Sequence, residues 1–123
     1  MRVLTGEQLL VRIFIGESDK WQHRPLATSL LERLRKEHFA GATMFRGIAG
    51  FGAHSVLHTS MILRLSEDLP IVIEVVDSEE RMPRLTEILD EMMVEGLVTM
   101  EKVHVLRYSA RPLPDSGAAP AEG

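Results

Sequence analysis

Apolar positions along this chain alternate in some stretches and recur at helical spacing in others, and the switches between the two outline its elements. Leu9 to Ile15 (LLVRIFI) is a strand pattern: Leu9, Val11, Ile13 and Ile15 share one face, Leu10, Arg12 and Phe14 the other, and Gly16 closes the run. Gly16, Ser18 and Asp19 are turn formers. Pro25 then suits a first helical turn, and Leu26, Ala27, Leu30, Leu31 and Leu34 form one helical stripe opposite Glu32, Arg33, Arg35, Lys36 and Glu37. Gly41 is the expected stop. Ala42 to Arg46 reads as a short strand, and Met61 to Leu65 as another before the turn Ser66-Glu67-Asp68. Ile71 to Val76 (IVIEVV) is almost wholly β-branched, a strand by composition. Asp77 and Glu80 stand at capping-box spacing, but Pro83 removes a backbone donor one turn in, so the second helix starts late or distorted. Met82, Leu85, Ile88, Leu89, Met92 and Met93 are its buried stripe, Gly96 its end, and Lys102 to Arg107 the last strand.

The order β-α-β-β-α-β is the split βαβ, ferredoxin-like motif: an α+β fold whose two helices cover one face of a four-stranded antiparallel sheet. In that topology the first strand lies between the third and the fourth. The uncovered face is then expected to carry Leu10, Arg12 and Phe14, with Val72, Glu74 and Val76 beside them and His104, Leu106 and Tyr108 from the last strand. That much apolar surface exceeds what a monomer leaves wet, so it implies burial against other copies of the chain. Arg12, Glu74 and His104 are expected to pair there or across the seam. A solvated sheet face with ordinary alternation is the plain alternative.

Between the strands lies a glycine-punctuated loop, Arg46 to Thr59 (RGIAGFGAHSVLHT), in which neither period survives. Long irregular connections in compact domains are functional or disordered. Ile48, Phe51, Val56 and Leu57 argue against plain disorder, so the expected role is a loop that orders on a ligand or partner.

Composition narrows the classes. The 123 residues suffice for one domain, expected over residues 1–108, with the Pro-, Gly-, Ala- and Ser-rich stretch 109–123 a disordered tail. Absence of cysteine excludes disulfides and thiol nucleophiles and suits a reducing cytoplasm, and no apolar run has membrane-spanning length. A net charge of −4 argues against a nucleic-acid partner.

Successive N–H groups around Gly47, Gly50 and Gly52 can form an anion-binding nest, with Arg46 at the loop's entry and Arg64 at its exit supplying charge; a glycine turn with two surface arginines is the competing reading. Lys20 and Arg24 are secondary candidates for the same pocket, and Phe51 or Trp21 can stack on a base. His54 and His58 have chelating spacing on a helix, which this stretch does not resemble. Glu17 and Asp19 are explained by turn formation. No spacing of Ser, His and Asp matches a nucleophile elbow, and no constellation marks an enzyme.

GESDK (Gly16 to Lys20), GATMFRGIAGFGAHSVLHTS (Gly41 to Ser60) and RLSEDLPIVIEVVD (Arg64 to Asp77) together resemble a PII-like bacterial family catalogued as a domain of unknown function, over nearly all of Leu4 to Tyr108. More distantly, GATMFRGIAGFG is similar to the segment that opens the T-loop of true PII signalling proteins. The resemblance implies a ferredoxin-like homotrimer with inward-facing sheets. It also implies a small-molecule effector, often an adenine nucleotide, in clefts between subunits, and a loop over residues 46–60 that engages a target such as a membrane transporter or channel. A metal-binding trimer similar to the divalent-cation-tolerance proteins, through His54 and His58, is the second reading. This chain departs from true PII proteins in having only Glu95-Gly96-Leu97-Val98-Thr99 where they carry a glycine- and lysine-rich phosphate loop, and in having no tyrosine in the organising loop.

Overall fold

The computed structural model of the protein describes residues 2–52 and 68–111. Its elements in chain order are β1 (Arg2–Gly16), a small ribbon of β2 (Lys20–Trp21) and β3 (Arg24–Pro25), α1 (Leu26–Lys36), β4 (Ala42–Arg46), β5 (Pro70–Asp77), a 3-10 turn (Glu79–Arg81), α2 (Met82–Met92) and β6 (Leu97–Ala110). The main sheet has the order β4-β5-β1-β6 with every neighbouring pair antiparallel, so the first strand is central, as the motif requires. No helix among the described residues is long and apolar enough to cross a membrane.

The core follows the sequence periods. Val11, Ile13 and Ile15 of β1 and Ile71, Ile73 and Val75 of β5 alternate inward and pack on Leu26, Leu30 and Leu34 of α1 and Leu85, Ile88 and Met92 of α2. Pro83 falls in the first turn of α2, where a missing N–H costs nothing, and the chain enters through the 3-10 turn. The helix therefore begins late, at Met82. Asp77 is no helix cap: no side-chain cap bond is made at either start, and its carboxylate is used elsewhere. Nor does Gly41 end α1. His38 takes the left-handed turn at φ 62° two residues after Lys36.

The first and last strands both exceed expectation. β1 begins at Arg2 and β6 spans Leu97–Ala110, so residues 2–8 of β1 pair only with β6, forming an arm that passes the end of β5. The arm bulges between Leu4 and Gly6. At its far end Tyr108 Oη donates to the Ala40 carbonyl at 2.6 Å, and Arg2 reaches Asp77 and the His38 carbonyl. β6 thus continues two residues past the expected domain limit of 108; residues 112–123 lie outside the described residues, as does the expected strand Met61–Leu65.

The register overturns one assignment. Phe14 faces Leu97, Arg12 faces Thr99 and Leu10 faces Glu101, so odd-numbered residues of β6 share the uncovered face. His104 pairs opposite Glu7 and therefore lies on the other face; Leu106 falls within the bulge, and Tyr108, beyond it, turns towards Ala40. His104 and Leu106 are not neighbours of Arg12 and Glu74. Without the true start of β6, counted from Lys102 instead of Leu97, the strand's phase relative to β1 cannot be assigned. The acid that joins Arg12 and Glu74 is Glu101.

An ion network staples the two helices. Glu37 accepts from Arg84 Nε at 2.7 Å and Nη2 at 2.6 Å and from Arg33 Nε at 2.7 Å, while Arg33 forks onto Glu91 at 2.9 and 3.0 Å. Arg84 first, then Arg33, pulls the Glu37 carboxyl down to about 2. Because the folded value is lower than the ordinary 4.5, the unfolded chain takes up this proton first as pH falls. The network's contribution is therefore complete above 4.5 and disappears towards 2. Acid titration of stability is expected to show this slope in the wild type and a flatter one in Glu37→Gln; parallel slopes would remove Glu37 from the account.

Candidate functional site

At one end of the sheet the C-terminus of β1, the start of β5, the turn before β6 and the first part of the glycine loop surround a cavity of about 400 Å³. Phe14, Ile15, Pro70, Leu97 and Phe51 give it apolar walls; Gly16, Gly52 and Gly96 let backbone line it; Asp19, Asp68 and Glu95 border it. The sheet's register explains the apolar part. Phe45, Val72, Phe14 and Leu97 stand side by side in one row across all four strands on the uncovered face. The next row is Thr43, Glu74, Arg12 and Thr99, in which Arg12 Nε donates to Glu74 Oε2 at 2.8 Å and its Nη1 to Glu101. The apolar band thus lies at the cavity's end and the ion pairs lie behind it.

The turn after β1 is built by acidic side chains acting on backbone. Asp19 Oδ2 accepts from the Gly16 N–H at 3.0 Å, and Asp68 Oδ1 accepts from Ser18 N at 3.2 Å and Ser18 Oγ at 2.8 Å. A Cβ on Gly16 would run into Asp68 Oδ1, so a side chain there would displace the carboxylate that holds Ser18. Turn formation does account for Asp19.

Of the residues expected to bind an anion, Phe51 and Gly52 line the cavity and the others are placed differently. The Gly47 N–H donates to the Pro70 carbonyl at 2.7 Å, so it is not open to a nest. A Cβ on Gly47 or Gly50 would come within 2.7 or 2.9 Å of Pro70 Cγ. These two glycines let the loop cross over Pro70. Arg46 turns to Glu17, Nε to Oε2 at 2.6 Å. Arg24 forks onto Glu32 at 3.0 and 3.1 Å and borders a separate, open groove along α1, and Lys20 is exposed in the β2–β3 ribbon. Neither joins the cavity, because the ribbon folds back towards α1; Trp21 likewise packs on the core. Arg64, His54 and His58 lie outside the described residues. No lysine or arginine stands among the described lining residues. Among the described residues no group of three or more His, Asp or Glu side chains is placed to hold a metal ion.

Sequence reasoning missed Pro70, Gly96 and Leu97 as cavity residues. The signal was present in Gly96, set between a helical stripe and a strand run: its φ is 134°, and a Cβ there would meet the Phe14 carbonyl oxygen at 2.9 Å. Since Leu97 opens β6, the connection from α2 is still shorter than the five residues expected.

Known proteins share this chain's pattern over the same span. The sequence profile of the DUF190 family, described as "uncharacterized ACR", matches residues 8–105. The chain belongs to the DUF190 family. Its relatives include a UPF0166 protein of Aquifex aeolicus, 36% identical over 106 residues, covering 86% of this chain and 98% of the relative. A UPF0166 protein of Methanocaldococcus jannaschii is 33% identical over 99 residues, covering 80% and 91%. Among solved structures, a putative PII-like signaling protein from Thermus thermophilus superposes with a TM-score of 0.56 at 21% identity, over 86% of this chain and 94% of that one. CPII from Thiomonas intermedia, solved bound to ADP and bicarbonate, gives 0.54 at 21%, over 85% and 91%. This DUF190 chain therefore has the PII-like, ferredoxin-type fold expected of it. None of these relatives lends support to the metal-binding reading.

Proposed function

We propose that this DUF190 protein is a PII-like regulator and not an enzyme. Three copies form a ring with inward-facing sheets. A small anionic effector, a nucleotide, binds between copies beneath the 46–60 loop, and the loop's state selects a target protein such as a membrane transporter or channel. The observation that carries this reading is the cavity at the foot of the glycine loop, on the same fold as a neighbour solved with ADP and bicarbonate.

The described walls suit the base and sugar of such a ligand: Phe14, Phe51 and Leu97 offer apolar surface, and the bordering carboxylates can accept from an exocyclic amine. They do not themselves suit phosphates. Arg46 is our candidate for the positive charge, exchanging Glu17 for the effector, with Arg64 as the second. Regulation requires that the ligand bind one loop state more tightly than the other, and exchange of the Arg46–Glu17 pair for an Arg46–effector pair supplies that difference.

A thermal-shift screen of adenine and guanine nucleotides tests it. A ligand at a hundredfold its Kd is expected to add about 2.7 kcal/mol to stability. Arg46→Ala is expected to weaken that ligand by about tenfold or more, the loss of a charge-assisted hydrogen bond of about 1.5–3 kcal/mol. A flat response to every nucleotide retires this effector class.

A further inference from the structure

The open groove along α1 has a volume of about 610 Å³ and shares no lining residue with the cavity at the glycine loop. Pockets for small molecules span about 300–1,000 Å³. Ser29, Glu32, Arg33 and Lys36 line the groove at helical spacing, so one stripe of α1 forms its length. Trp21 of the β2–β3 ribbon and Met92 of α2 add apolar wall.

Two features of this groove have no account in the fold. Ser29 is 4% exposed, and its Oγ has no hydrogen-bond partner. A buried hydroxyl without a partner destabilises a fold, and alanine at the same helical position would leave nothing unsatisfied. The second feature is the ribbon. Its two turn residues, Gln22 and His23, have φ of 50° and 65°. A two-residue hairpin turn of this handedness favours Asn-Gly, and side chains at both positions strain it. The strained turn sets Trp21 opposite Arg24, and Arg24 is held to Glu32 on α1. The ribbon is thus tied down on the helix with its indole at the groove.

Charge selects the ligand. Arg24 is committed to Glu32, and Arg33 to Glu37 and Glu91. Lys36 is exposed, lines the groove and has no ionic partner among the described residues. Its ammonium is the charge left over for a ligand. Lys36 stands about 10 Å along the helix from Ser29. Once the lysine stem reaches back over part of that interval, the remainder suits one aromatic ring bearing a short acid chain.

We infer that this groove binds a small aromatic carboxylate. The ring lies against Trp21 above Met92, the carboxylate meets Lys36, and Ser29 Oγ bonds a polar substituent on the ring. The site needs neither the trimer nor the nucleotide cavity.

Trp21 is the chain's one tryptophan, so its fluorescence reports on this groove. Titration of the full chain with phenylacetate and 4-hydroxyphenylacetate is expected to shift that emission saturably, the hydroxylated acid binding more tightly. Tyramine, the same phenol with an amine in place of the acid, is expected not to bind. Ser29→Ala is expected to keep or raise the melting temperature while removing the advantage of the hydroxylated acid, about twofold to tenfold. Lys36→Met is expected to weaken both acids by about tenfold or more. Absence of a saturable response to either acid overturns the site. A response to tyramine equal to that of the acids, or acid affinities unaltered in Lys36→Met, overturns the assignment to an anion. A lower melting temperature in Ser29→Ala with unchanged affinities overturns the serine's part and returns it to the fold.

Discussion

Asp77→Ala is expected to be among the most damaging single substitutions in this protein, removing about 3–5 kcal/mol of stability, the range for breaking a buried ion pair. Asp77 is 0% exposed at the end of β5. Its carboxylate accepts from both terminal nitrogens of Arg2, from Ala40 N at 2.9 Å and from Ser78 N at 2.7 Å. One side chain thus ties together the β1–β6 arm, the connection from α1 to β4, and the entry to α2. Removing it leaves a cation and two backbone donors without their acceptor, each donor at a cost of about 1–3 kcal/mol if it stays dry. For a domain of this size a melting temperature lower by more than about 10 °C follows. Arg2→Ala is expected to cost less, because the guanidinium is 35% exposed and Asp77 keeps both backbone donors. Calorimetry on the two variants decides it. Equal melting temperatures for wild type and Asp77→Ala would show that the cluster is dispensable.

Gly96→Val is the second. Gly96 sits at φ 134°, which a β-branched residue does not adopt without strain of about 1–3 kcal/mol. The added Cβ would also lie 2.9 Å from the Phe14 carbonyl oxygen, 2.7 Å from Met93 Cε and 3.4 Å from Ile15 Cγ2, and such overpacking costs about 1–3 kcal/mol more. Met93 can swing away; the β1 backbone cannot. The turn must therefore shift, and Leu97 with it, so the variant is expected to lose both stability and the nucleotide response. Urea titration reads the first and thermal shift the second. Full stability in Gly96→Val would mean that the turn relaxes freely and does not define the cavity.

These two sites differ in how far they could be read before the structure. Gly96 is a glycine between a helical stripe and a strand, which marks a turn, and its neighbourhood to Phe14 follows once strands are paired. Asp77 reads as a helix cap because Glu80 stands three residues on, and only the arm formed by residues 2–8 brings Arg2 to it. The binding set shows the same division. Glycine spacing locates the loop's crossing, but its cause is contact with Pro70, a residue far along the chain from both glycines. By sequence Lys20 and Arg24, in the connection before α1, are candidates for the loop's pocket, and the ribbon's fold-back takes them elsewhere.

Periodicity by itself determined the βαββαβ order, the two helical stripes, the inward faces of β1 and β5, and the outward face that Arg12 and Glu74 share, because alternation and helical spacing record which side of an element is buried. Only the tertiary structure decided the phase of β6, the choice of Glu101 over His104, the duty of Asp77 and the cation-poor lining of the cavity among the described residues. Each of these depends on contacts between residues far apart in sequence, and register and bulges are set by the whole sheet. A local pattern reports a residue's side but not its partner.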